Sequence, residues 1–225
     1  SGPGLTSATA GEVAYFDVEI RDMFLNRVID SALGDDLTCE LKHEEGSTNC
    51  GPAQERPDGK WRLTYTTNHS RPAALGCYTL DIRFRDQAIS GSPACVEVQP
   101  AAISPVHSQA LDQDPTIAGQ QLKFKLHLKD VHNNEWRIGA ERNVRVSAIT
   151  PSGDRAAASV RGLSNTTAIY EVTLSCTETR VAGTYQWEIT VSSSPFVPSN
   201  LQTQQVLPGP VDPTQVISIA HMLSS

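Results

Sequence analysis

No uninterrupted apolar run comes near the roughly 20 residues that cross a bilayer as a helix, and the N-terminus has no leader-type apolar core. Ser1-Gly2-Pro3 reads as a cut boundary, so the lack of a leader here excludes no compartment. Basic residues are the minority: 18 Lys and Arg against 25 Asp and Glu leave a net charge of −7. That balance argues against a nucleic acid or an anionic membrane as partner, since both favour a basic face. Histidines at 43, 69, 107, 127, 132 and 221 show no Cys/His spacing of a zinc site, so no metal is expected. There is no phosphate-cradling glycine loop and no nucleophile elbow, which points away from an enzyme and from a cofactor. Asp112-Gln113-Asp114 lacks the frame of a twelve-residue calcium loop and reads as a solvated acidic stretch. Glu40, Glu44 and Glu45 read as charged surface, not an acid/base pair. His127 falls on the wet side of its strand.

What is present is turn chemistry and a repeat. Fourteen Pro and 15 Gly spread through 225 residues suit short strands joined by turns. Ala10–Asn26, AGEVAYFDVEIRDMFLN, recurs 108 positions later as AGQQLKFKLHLKDVHNN over 118–134. Ala-Gly opens both copies, Phe16, Val18 and Ile20 answer Phe124, Leu126 and Leu128, and Asp22 and Asn26 answer Asp130 and Asn134. A period this long marks two copies of one domain, as solenoid units run to about 20–50 residues. The expected division is 1–100, 101–208, and 209–225 as a linker leading into a further repeat or a tail.

Along each copy the apolar positions alternate in period two, the mark of a strand with one buried face. Gly4–Ala10 suits a short edge strand and Glu12–Arg21 a longer one. Leu37, Cys39 and Leu41 share a face, as do Trp61, Leu63 and Tyr65 after the turn Asp58-Gly59. Tyr78, Leu80, Ile82 and Phe84 follow, then a kink at Ile89–Pro93 and the pair Val96, Val98. Lys42–Asn49 reads as a polar loop. In the second copy strands are expected over Gln120–Asp130, Asn143–Thr150, Ala157–Gly162, around Tyr170, Val172 and Leu174, around Tyr185, Trp187 and Ile189, and within Leu201–Leu207. Ser194-Pro195-Phe196 is matched with Ser92-Pro93-Ala94. About seven short strands per hundred residues give an all-β chain of two tandem immunoglobulin-like β-sandwiches.

Ala10-Gly11, Phe16 through Asp22, Asp58-Gly59-Lys60-Trp61, Gly76–Ile82 and Ser90-Gly91-Ser92-Pro93, in that order, resemble the filamin-type immunoglobulin-like repeat. Thr150–Gly153 and Pro208–Pro213 are similar to the end of its third strand and its inter-repeat linker. The resemblance implies protein–protein contact without catalysis, with a partner strand added to an exposed third-strand edge. Carried over, that edge is Leu37, Cys39 and Leu41 in the first copy. In the second it is Val144, Arg145, Val146, Ser147, Ala148 and Ile149.

Four of the five cysteines lie in the first copy. Strand phase turns Cys77 and Cys95 outward on neighbouring strands, equally far from a turn near Asp86, within reach of a disulfide. Cys39 and Cys50 close a short loop and form the other candidate pair, leaving Cys176 odd. Asn68-His69-Ser70 and Asn165-Thr166-Thr167 match the N-glycosylation pattern. Outward paired cysteines favour an oxidising compartment. The expected role is therefore an extracellular adhesion or recognition fragment with a protein partner, of the kind found on gamete surfaces. The alternative is a cytoplasmic, actin-associated scaffold whose repeats bind peptide strands.

Overall fold

Backbone polar groups in a strand must be paired or solvated, and the ladders below follow from the alternation already described. A computed structural model of the chain describes residues 1–28, 30–43, 46–70, 77–136, 143–163, 168–212 and 214. The first unit contains β1 (Ser7–Thr9), β2 (Ala14–Val18), β3 (Leu37–His43), β4 (Gly46–Asn49), β5 (Gln54–Glu55), β6 (Trp61–Tyr65), β7 (Tyr78–Phe84), β8 (Gln87–Ala88) and β9 (Ala94–Gln99). One sheet runs β1-β9-β7-β3-β4 with β8 on β7, and the facing sheet is β2-β6-β5. Phe16, Leu41, Leu63, Leu80, Ile82 and Val96 meet between them, each almost wholly removed from water.

The second unit contains β10 (Gln109–Leu111), β11 (Thr116–Ile117), β12 (Leu122–His127), β13 (Val144–Ile149), β14 (Arg155–Gly162), β15 (Ile169–Leu174), β16 (Gly183–Val191), β17 (Ser194–Pro195) and β18 (Gln204–Leu207). Their order is β10-β12-β15-β14-β13-β16-β18-β11, with β17 on β16. The link between its layers is β14, whose residues 155–158 pair with β13 and whose residues 159–162 pair with β15. Its core is separate, built on Leu122, Phe124, Leu126, Val172, Tyr185 and Ile189. Gln204, almost fully buried, accepts from Trp187 Nε1 at 2.8 Å and donates to the carbonyls of Asp114 and Lys123. That satisfies a buried amide that would otherwise cost stability.

Two local readings change. Gly46–Asn49, expected as loop, is β4, a polar strand hairpinned onto β3 from Glu40↔Asn49 to His43↔Gly46. Its residues are mostly exposed, so no apolar alternation announces it. The match of Ser194-Pro195-Phe196 to Ser92-Pro93-Ala94 is also corrected. Arg85 and Asp86, like Ser192 and Ser193, carry positive φ in two-residue turns. The Phe196 amide then donates to Ile189 O as the Ile89 amide donates to Ile82 O. Phe196 therefore answers Ile89.

The repeated Asp and Asn close a loop of the same kind in each unit. Asp22 Oδ1 accepts from the amides of Phe24 and Asn26, and Asn26 Nδ2 donates to Asp22 Oδ2. Asp130 does the same with His132 and Asn134, and its Oδ2 also accepts from the Ala101 amide at 2.7 Å. Asp130 is fully buried, and its loop holds the connection between the units. Asp130→Ala is expected to strand several donors at once and cost about 3 kcal/mol. Asp22→Ala should cost less, as judged by the urea midpoints of the two variants.

Asp81 on β7 ties the sheet together through charge. Arg83 first, then Lys42 of β3, hold its carboxyl down to about 2. A carboxylate lowered on folding contributes stability above its unfolded value, near 3.9, and loses it as pH falls toward 2. Asp81→Asn should therefore flatten the fall in thermal midpoint between pH 4 and pH 2.

Candidate functional site

The strand edges carried over from the resemblance are not open, and that expectation is corrected. β13 lies inside its sheet, with β16 on one side and β14 on the other. Val144, Val146 and Ala148 point into the core, and Ser147 and Ile149 are half-buried; Arg145 is exposed. In the first unit β3 has β7 on one side and β4 on the other, and Leu37, Cys39 and Leu41 are core residues. Over Glu40–His43 and Val146–Ile149 the edge is already hydrogen-bonded to its own chain and has no free side for an added strand. The outer position of that sheet belongs to β4.

The cysteines pair as Cys39–Cys50 and Cys77–Cys95, with Cα separations of 5.3 and 5.4 Å. Cys39 is buried, and its carbonyl accepts from the Cys50 amide, so that bridge staples the β3–β4 hairpin to the segment after it. Cys95 is exposed and faces Thr79 in the ladder, not Cys77. The chain looped out at Ile89–Pro93 displaces the register, leaving the two cysteines diagonal neighbours. A shift of two residues preserves the face, so the sulfurs still meet. Cys176 is free and exposed. Each bridge closes a short loop, and replacing either pair by serine is expected to cost about 3 kcal/mol. Guanidinium unfolding of Cys39→Ser/Cys50→Ser and of Cys77→Ser/Cys95→Ser measures it.

Asn68 is exposed on the loop that meets the second unit, and Asn165 lies outside the described residues. Asn134 reaches across from its closed loop: its Nδ2 donates to Asn68 O at 2.7 Å and its Oδ1 accepts from the Ser70 amide at 3.0 Å. Gly11 completes this contact. It has positive φ, and an added Cβ would stand 2.1 Å from His132 Nε2. The sequence held a signal for this junction in the repeated Asp-x3-Asn, although nothing in it said that the loop of the second copy docks on the first.

Two exposed apolar features remain. The tip of the first closed loop exposes Met23, Phe24 and Leu25 at 87%, 74% and 71%. Beside that loop an apolar cleft of about 480 Å³ opens at the end of the first sandwich, lined by Phe16, Ile20, Leu37, Ile82, Phe84 and Ile89 among others. Its rim is charged but paired: Asp17 binds Arg62, and Glu19 binds Arg21 and Arg27. The Arg62 hydrogen bond holds the Asp17 carboxyl below its usual range. Among the described residues no group of three or more His, Cys, Asp and Glu side chains converges to hold a metal. Asp112 pairs with Lys125 at 2.7 Å. His127 is not simply solvated: half-buried, it meets Glu135 at 2.8 Å, and Glu135 also accepts from the Ala168 amide.

Residues 1–94 match the family model of the filamin/ABP280 repeat. Filamin-C of Mus musculus is 34% identical over 102 residues, which is 45% of this chain and 3% of that protein. Among solved structures, the Escherichia coli adhesin FdeC superposes with a TM-score of 0.61 at 18% identity, over 91% of this chain and 62% of that one. InvD of Yersinia pseudotuberculosis gives 0.58 at 14% identity, over 94% and 58%. At those identities the likeness is one of fold. The first unit thus matches the filamin-type repeat by the family's own model, and the second repeats its sequence pattern in a β-sheet unit of its own.

Proposed function

We propose that this chain is a non-catalytic recognition segment of a secreted or cell-surface protein, working by protein–protein contact. The observation that carries the reading is the Cys77–Cys95 bridge on an exposed face of the first repeat. Thiols so accessible stay reduced in a cytosol and pair where the surroundings oxidise. The second bridge and the exposed acceptor Asn68 point the same way. Attachment between cells, gametes included, is the setting that the resemblance to surface repeats favours. The exposed Met23-Phe24-Leu25 tip is the contact element in this reading, since three adjacent large apolar side chains in water mark an interaction site.

A cytoplasmic scaffold is the second reading, favoured by the identity with Filamin-C. Its usual mode, strand addition at the third-strand edge, meets covered edges in both repeats. A thiol count separates the two. Protein recovered from the cells that make it, denatured without reductant, is expected to show one reactive thiol, that of Cys176. Five would overturn the surface reading.

A further inference from the structure

Two histidines far apart in the chain meet on the first repeat. His43 is the last residue of β3, and His69 lies in the loop after β6. Their ring centres are 5.1 Å apart, with the planes inclined by 39°. Rings held by packing alone favour parallel-offset or edge-on arrangements, and this tilt is neither. His43 does make an edge-on contact with Tyr78, at 5.3 Å and 89°. Two imidazoles that share one tetrahedral ion, each about 2.0–2.1 Å from nitrogen to metal, have ring centres roughly 5 Å apart. The histidine pair stands at that separation.

Both backbones are fixed from elsewhere, as a preformed site requires. His43 pairs with Gly46 across the β3–β4 hairpin, which the Cys39–Cys50 bridge staples. Its ring rests on buried Tyr78. The His69 amide donates to Oγ1 of buried Thr67 at 3.3 Å. On either side of His69, the Asn68 carbonyl and the Ser70 amide are gripped by Asn134 of the second repeat. His69 is exposed and His43 half-buried, so water reaches the pair. No spacing along the chain announces this site, because only the folded sandwich brings strand and loop together.

We propose that His43 and His69 form a two-histidine site for a zinc ion, with water in the other positions. Each imidazole ligates through one ring nitrogen and keeps the other for a hydrogen bond. Imidazole suits zinc, whereas calcium and magnesium take oxygen ligands, so the pair discriminates against both. Two protein ligands make an exchangeable site, unlike a closed structural centre with four. A bound ion ties the β3–β4 hairpin to the loop that meets the second repeat.

The test is isothermal titration of the full chain, disulfides intact, with zinc chloride. A Cys176→Ser background is used, because that exposed thiol would take up zinc by itself. Zinc is expected to bind, and calcium or magnesium should not displace it. His43→Gln and His69→Gln should each weaken the site by roughly tenfold or more, since even loss of a ligand's hydrogen-bond partner costs that much. His127→Gln, which alters a histidine of the second repeat, should leave the affinity unchanged. Zinc should also raise the thermal midpoint of the parent chain and of neither ligand variant, because it stabilises only the state that binds it. The zinc-free midpoints show that the variants are folded; His69 is exposed, so its variant decides even where His43→Gln disturbs the hairpin. A parent chain that takes up no zinc at millimolar concentration overturns the proposal. So does binding that His69→Gln leaves unchanged.

Discussion

Every strand in this molecule carries a row of amides and carbonyls that must find a partner or water, and the placement of covering segments follows from that obligation. In the first repeat β4 takes the free side of β3; in the second the leading half of β14 takes the free side of β13. The two solutions use unrelated residues, a polar hairpin in one case and Arg155–Ala158 in the other. Both consume the same edge. A repeat of this type with its third strand covered must present something other than that strand to a partner.

The closed Asp–Asn loops show how one local device acquires two uses. In both repeats a carboxylate satisfies the amides of a tight turn, which is why Asp and Asn recur at a fixed spacing. In the second repeat the same asparagine has a carbonyl and an amine left over, and they cap the Asn68–Ser70 backbone of the neighbour. In the first repeat the matching loop lifts Met23, Phe24 and Leu25 into water. The two tips differ in composition, while the frame beneath is shared.

The disulfides are placed by sheet phase and tolerate a change of register. Cys77 and Cys95 are diagonal instead of opposite, yet the period of two keeps them on one face. Cys39 shows the reverse case, a core position whose bridge reaches Cys50 beyond the next hairpin. The buried alternations, from Phe16 and Val18 through Tyr185 and Trp187, were legible because one face of each strand excludes water. β4 was not legible, because a strand with neither face buried has no apolar period to read.

By itself the sequence determined two β-sandwiches of about a hundred residues, the inward and outward sides of most strands, and which cysteines share a face. These follow from local periodicity, which a linear chain records directly. Only the tertiary structure decided which edges are covered and that Phe196 answers Ile89. Those outcomes depend on segments far apart in the chain meeting across a sheet, and no period within a strand encodes its neighbour.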